Sequence, residues 1–104
     1  MCISVIGGIK RLEPQYLKEA KRMGVKIKIF NTEASALDTK IPGSDAVVIF
    51  TGKVSHNAKQ AAQKTARLHN IPVFMSHACG VCALRECIGC VKAMEYSKQE
   101  GKTN

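Results

Sequence analysis

The stretch that most constrains this chain is Ala46-Val-Val-Ile-Phe50, five apolar residues in a row that run directly into Thr51-Gly-Lys-Val-Ser-His-Asn57. A short unbroken apolar run ending in Gly and Ser reads as a strand buried on both faces, and a pattern of helical period follows it. Strands buried on both faces belong to parallel sheets covered by helices. Ligands of such sheets sit beyond the carboxyl ends of the strands, so Thr51, Gly52, Lys53, Ser55, His56 and Asn57 fall where a site is expected.

The rest of the chain fits around this strand. Cys2 to Ile6 reads as a first strand, and Gly7-Gly8 after it permits a tight turn or close approach of a ligand to the backbone. Glu13-Pro14 opens a helix whose Tyr16, Leu17, Ala20 and Met23 are expected on one face, and Gly24 ends it. Val25 to Phe30 alternates apolar residues with Lys, which predicts an edge strand with one wet face. Ala34 to Leu37 suggests a short helical turn and Pro42-Gly43 a turn before the central strand. Ser55 is placed to cap a helix whose Ala58, Ala61, Ala62, Thr65 and Leu68 form a small-residue face. Ile71 to Ser76 predicts a fourth strand, followed by a loop and a last helix to about Ser97.

This order of elements implies an α/β chain with a doubly wound, four-stranded parallel sheet of order 2-1-3-4. Its switch point lies between strands one and three, with Gly7-Gly8 facing Thr51 to Asn57. At 104 residues the expectation is one domain over 1–98 with a flexible tail over 99–104. A core this modest suggests a homo-oligomer. No apolar run approaches the length that spans a bilayer, and no secretion signal is apparent, so a cytoplasmic protein is expected.

Sixteen Lys and Arg against eight Asp and Glu give a net charge of +8, which would attract phosphates, anionic cofactors or nucleic acid. A solvated lysine-rich surface explains the same charge. Nucleic acid is not favoured, because Phe30, Phe50 and Phe74 are strand residues and no stacking platform is visible.

Two constellations carry chemistry. His56 stands in the first turn of its helix, almost opposite the alanine face, and reads either as an exposed polar residue or as a metal ligand. Helix N-termini disfavour imidazolium, which suits coordination, and Lys53 and Asn57 flank it to meet a carboxylate or phosphate. His77 follows the fourth strand at the same sheet end. Beyond it, Cys79, Cys82, Cys87 and Cys90 give C-x2-C-x4-C-x2-C. Paired C-x2-C units signal zinc or an iron–sulfur cluster, although the x4 gap is short for two zinc knuckles. If Gly80 to Met94 is helical, Cys82, Cys87 and Cys90 share a broad face with Ala83, Leu84, Val91 and Met94 and pack as small hydrophobes. Cys79-Gly-Val-Cys82 at a helix N-terminus also suits thiol–disulfide chemistry.

Val-Ile-Gly-Gly8, Thr51-x-x-Val54-x-His56 and Ile71-Pro-Val-Phe-Met-Ser76 together resemble the bacterial domain of unknown function 2325, over Ile3 to Ile88. The resemblance implies a Rossmann-like fold, a family histidine at position 56, and haem or another metal-containing cofactor as ligand. The four cysteines after His77 lie outside the family pattern.

Several activities are disfavoured. Gly7-Gly8 is not G-x-G-x-x-G, Asn31 rather than an acid ends the second strand, and there is no Walker loop, which argues against dinucleotide and nucleotide sites. No acidic cluster gathers at the strand ends for Mg²⁺ chemistry. The expectation is therefore a non-enzymatic binding module for haem or another metal cofactor, sensing a gas or redox state. Its cofactor site comprises Gly7, Gly8, Thr51, Lys53, Ser55, His56 and Asn57, with metal ligands drawn from His56, His77, Cys79, Cys82, Cys87 and Cys90. Alternatives are a thiol–disulfide redox protein using Cys79 and Cys82, and a basic module for nucleic acid or protein.

Overall fold

Strand β3, Ala46–Phe50, lies at the centre of the sheet with every residue shielded from solvent. In the computed structural model residues 1–30 and 37–103 are described, with side chains up to Met94 except Asp38. Around β3 the chain forms β1 (Cys2–Gly7), α1 (Glu13–Arg22), β2 (Lys26–Phe30), α2 (Leu37–Lys40), α3 (His56–Leu68), β4 (Val73–Ser76) and α4 (Val81–Thr103). All pairings are parallel and the sheet order is β2-β1-β3-β4, as the alternation of elements predicts. The fold is a small Rossmann-like α/β structure.

Alternate residues of the inner strands feed two cores. Ile3, Val5, Val48 and Phe50 pack with Tyr16 and Ala20 of α1 and Leu84, Ile88 and Val91 of α4. Ile6, Val47 and Ile49 pack on the other face with Leu37, Ile41, Ala58, Ala62 and Ala66. Small alanines let the α3 backbone press close to the sheet. Among the described residues no buried side-chain nitrogen or oxygen lacks a partner, and no helix is long and apolar enough to cross a membrane.

Several local expectations are corrected. Leu17 is 49% exposed, and the α1 face that reaches the core is Tyr16, Glu19 and Ala20, the i, i+3, i+4 set. On α3, Leu68 is 71% exposed and Ala66 takes its place, one turn beyond Ala62. Strand β4 starts at Val73 rather than Ile71, although Pro72, which has no N–H to donate, still accepts a hydrogen bond from Val47 N at 2.9 Å. Helix α2 occupies Leu37–Lys40; the helical turn expected at Ala34 to Leu37 falls on 34–36, which with Asn31 lie outside the described residues. Helix α4 runs on to Thr103 rather than ending near Ser97.

The carboxylate of Glu19 is tolerated because two arginines meet it. Arg22 bonds it from the same helix, and Arg85 Nε of α4 donates to Oε1 at 2.6 Å. Lys92 Nζ adds a second α4-to-α1 link, donating to Met23 O at 2.9 Å at the end of α1, where a cation also suits the helix dipole. The hydrogen bonds from Arg22 and then Arg85 hold the Glu19 carboxyl down, from 4.5 to about 2. A carboxyl depressed in the folded state contributes stability above its unfolded value and loses it on protonation. The urea midpoint of the wild type should therefore exceed that of Glu19→Gln near pH 5, and the two should converge as the pH falls towards 2. A difference independent of pH would mean that the charge of Glu19 plays no part.

Candidate functional site

Three segments meet at the carboxyl end of the sheet: Gly7-Gly8 after β1, Thr51 to Asn57 after β3, and Ser76 to Gly80 after β4. The first is closed by the chain itself. Gly7 and Gly8 take φ of +88° and +99°, which favour glycine, and a Cβ on Gly7 would stand 2.6 Å from Lys53 O and 2.8 Å from Val54 Cβ. Gly8 N donates to Lys53 O at 3.0 Å. The close approach that the Gly-Gly pair permits is thus made by residues Lys53 and Val54.

The second and third segments are also pressed together. Thr51–Lys53 forms a single 3-10 turn, and Gly52 lies so near the β4–α4 connection that a Cβ there would collide with His77 O and meet Cys79 Sγ at 3.5 Å. Thr51 Oγ1 donates to Ser76 O at 3.4 Å, and Ser76 Oγ donates to Ala78 O at 2.9 Å. From the other side Tyr16, fully buried on α1, donates its hydroxyl to Cys79 O and accepts from Ile9 N at 3.2 Å. Its ring packs on Phe50, with centroids 5.7 Å apart. One phenol therefore holds the loop after β1 and the start of α4 in register.

His56 opens α3. Ser55 caps the helix, its Oγ accepting from Ala58 N at 3.1 Å. The imidazole of His56 is exposed, and its Nε2 lies 3.0 Å from Gln60 Nε2, one turn along. The donor and acceptor roles in this contact follow the tautomer of the ring and the orientation of the Gln60 amide. Lys53 and Asn57 are exposed beside it, while Thr51 is half-buried. His77 is exposed across the Thr51–Lys53 turn, and Cys79 is half-buried with its thiol donating to His77 O at 3.5 Å.

The remaining cysteines do not join this group as one four-sulfur site. Leu84, Ile88 and Val91 form the buried stripe of α4, whereas Cys82 and Cys90 are exposed. On a helix Cys82, Glu86 and Cys90 make an i, i+4, i+8 row on the opposite side, so these two thiols do not pack with Leu84 and Val91 as the helical reading expects. Eight residues of helix also separate Cys82 from Cys90 by about 12 Å, too far for thiolates that share one zinc at ~2.3 Å. Cys87 is half-buried against the core. Burial raises its thiol pKa, with the neighbouring Cys90 and then Glu86 adding to the effect. Among the described residues no three His, Cys, Asp or Glu side chains converge as a metal site.

The buried Tyr16 was missed as a site residue. Its place on a helix face predicts a core aromatic, and nothing in the spacing of the sequence connects its hydroxyl with a carbonyl 63 positions later.

Residues 2–91 match the family described as an uncharacterized protein conserved in bacteria (DUF2325). The chain belongs to this family. The DUF2325 match covers all four strands and the first half of α4. No curated protein and no solved structure matches it.

Proposed function

We propose that this DUF2325 chain is a small binding module for a metal-containing cofactor, foremost haem, held at the carboxyl edge of the sheet with His56 as metal ligand. The observation that carries this reading is an exposed imidazole in the first turn of α3, steadied by Gln60, at the same sheet end as exposed His77 and half-buried Cys79. A bare ion held by protein needs three or four donors, whereas haem iron needs one or two. His56 supplies one such donor, and His77 or Cys79 at the same sheet end a second. Lys53 and Asn57 beside His56 suit the carboxylates of such a cofactor, and a second copy of the chain would close the exposed side as a homo-oligomer. Bound haem supplies reversible gas binding or a change of oxidation state, which makes the module a sensor rather than an enzyme.

The test is an absorption spectrum with elemental analysis on freshly purified protein, repeated after addition of haem under anaerobic conditions. Stoichiometric binding with a Soret band lost or shifted in His56→Ala is the expected result. A spectrum unchanged in His56→Ala, or no stoichiometric haem, would overturn the assignment.

A second reading rests on the Cys79-Gly-Val-Cys82 segment. It straddles the N-terminus of α4, with one half-buried thiol whose backbone is anchored by Tyr16 and one exposed thiol. Disulfide-reducing activity abolished by Cys79→Ser would favour thiol chemistry. An equal rate in that variant would remove it.

A further inference from the structure

We propose that the free edge of β2 is a docking site for an extended peptide segment that alternates apolar and acidic residues. Among the described residues β2 ends the sheet and pairs only with β1, which leaves its outer backbone groups for another strand. Beside that edge lies a groove of about 580 Å³, lined by Leu17, Val25 and Ile27 with Lys21, Lys26 and Lys28 around it. Leu17, which the α1 pattern places on the core face, is instead 49% exposed at this groove.

The two faces of β2 dictate the pattern of the occupant. Ile27 and Ile29 lie on the α1 side and pack against that core, whereas Phe30 packs in the opposite one. Alternation therefore puts Lys26 and Lys28 on the face away from α1. Lys28 Nζ makes one long contact there, with Lys40 O at 3.4 Å. A strand added beside β2 would set one row of side chains next to Leu17 and Ile27 and the other next to Lys26 and Lys28. Apolar residues suit the first row and carboxylates the second, because directly opposite charges stabilise a strand pair and like charges destabilise it.

The same lysines argue against a second copy of this chain as occupant. In a two-fold antiparallel pairing, opposing Ile27 with itself sets Lys26 against Lys28, and opposing Ile27 with Ile29 sets Lys28 against its own copy. Edge lysines are a recognised means of preventing such self-pairing. Among the described residues no carboxylate lines the groove to neutralise them.

The test uses the full chain and a fluorescein-labelled peptide of about eight residues alternating valine and glutamate, the length that covers an edge strand. A peptide alternating valine and lysine is the control. Anisotropy should detect binding of the first peptide only, weakening as salt is raised. The double variant Lys26→Glu with Lys28→Glu, at two exposed positions, should lose about tenfold in affinity for the glutamate peptide and gain affinity for the lysine peptide. Leu17→Glu should weaken binding of the glutamate peptide, and amide shifts on binding should centre on Lys26–Phe30. Equal affinity for the two peptides, or shifts centred elsewhere, would overturn the proposal. So would a wild-type dimer in sedimentation velocity that Leu17→Glu dissociates, which would place a second copy in the groove, or a fatty-acid probe that binds there when the peptide does not.

Discussion

Gly7→Ala is expected to destabilise the protein by about 3 kcal/mol, which lowers the melting temperature by roughly 15 °C for a chain of this size. Two effects combine at this position. A left-handed φ of +88° costs any residue with a Cβ about 1–2 kcal/mol, and the added atom meets Lys53 O and Val54 Cβ at separations that real Cβ atoms do not adopt. Gly24 separates the two contributions. It also takes a positive φ, +77°, but among the described residues no atom lies near its would-be Cβ, so Gly24→Ala should cost about 1 kcal/mol from strain alone. Thermal melts of the two variants should therefore differ clearly. If Gly7→Ala and Gly24→Ala melt together, the contact between the Gly7 turn and the Lys53 backbone does not hold in solution.

Tyr16→Phe is the second large effect. It removes only an oxygen, yet that oxygen accepts from Ile9 N and donates to Cys79 O. Losing both partners at once is expected to cost about 2 kcal/mol, and Tyr16→Ala, which also empties the space against Phe50, about 4 kcal/mol. The informative readout is local. Hydrogen exchange should rise in Ile9 and at the start of α4 in Tyr16→Phe, while β3 stays protected. Unchanged exchange in both segments would show that solvent replaces the hydroxyl and that the phenol is not what aligns them.

The fold was largely legible because its evidence is local. Ala46–Phe50 is a run that only a covered strand tolerates, Ser55 is a cap by residue type, and the Lys-Ile-Lys-Ile alternation of β2 marks an edge. Where the reading failed, one residue of helical phase decided the outcome. Leu17 and Leu68 attract assignment to the core by their hydrophobicity, but each sits just beside the buried stripe, whose places go to Glu19 and Ala66. A glutamate in that stripe becomes intelligible only once Arg85, 66 positions away, is seen against it.

The meeting of these segments was legible in its location and less so in its assembly. Topology alone brings Gly7-Gly8, His56 and His77 to one end of the sheet. That Gly7 is filled by Lys53 and Val54, and that Gly52 must be small to clear His77 O, depends on contacts between segments that no residue spacing encodes. The cysteine pattern left a metal loop and a helix open for a related reason. Its spacing would serve a metal loop, but Val81–Thr103 is a continuous helix, which spreads Cys82 and Cys90 along one outer row.

The carboxyl edge is mechanically uneven. His56 is carried by the segment that leaves β3, whose five residues are sealed in the middle of the sheet, whereas His77 and Cys79 hang from β4, a four-residue border strand that leaves Met75 47% exposed. Local opening follows depth, so β4 can loosen while β1 and β3 remain intact. If a guest binds between the two histidines, the wall nearer the border of the sheet is the one expected to yield first.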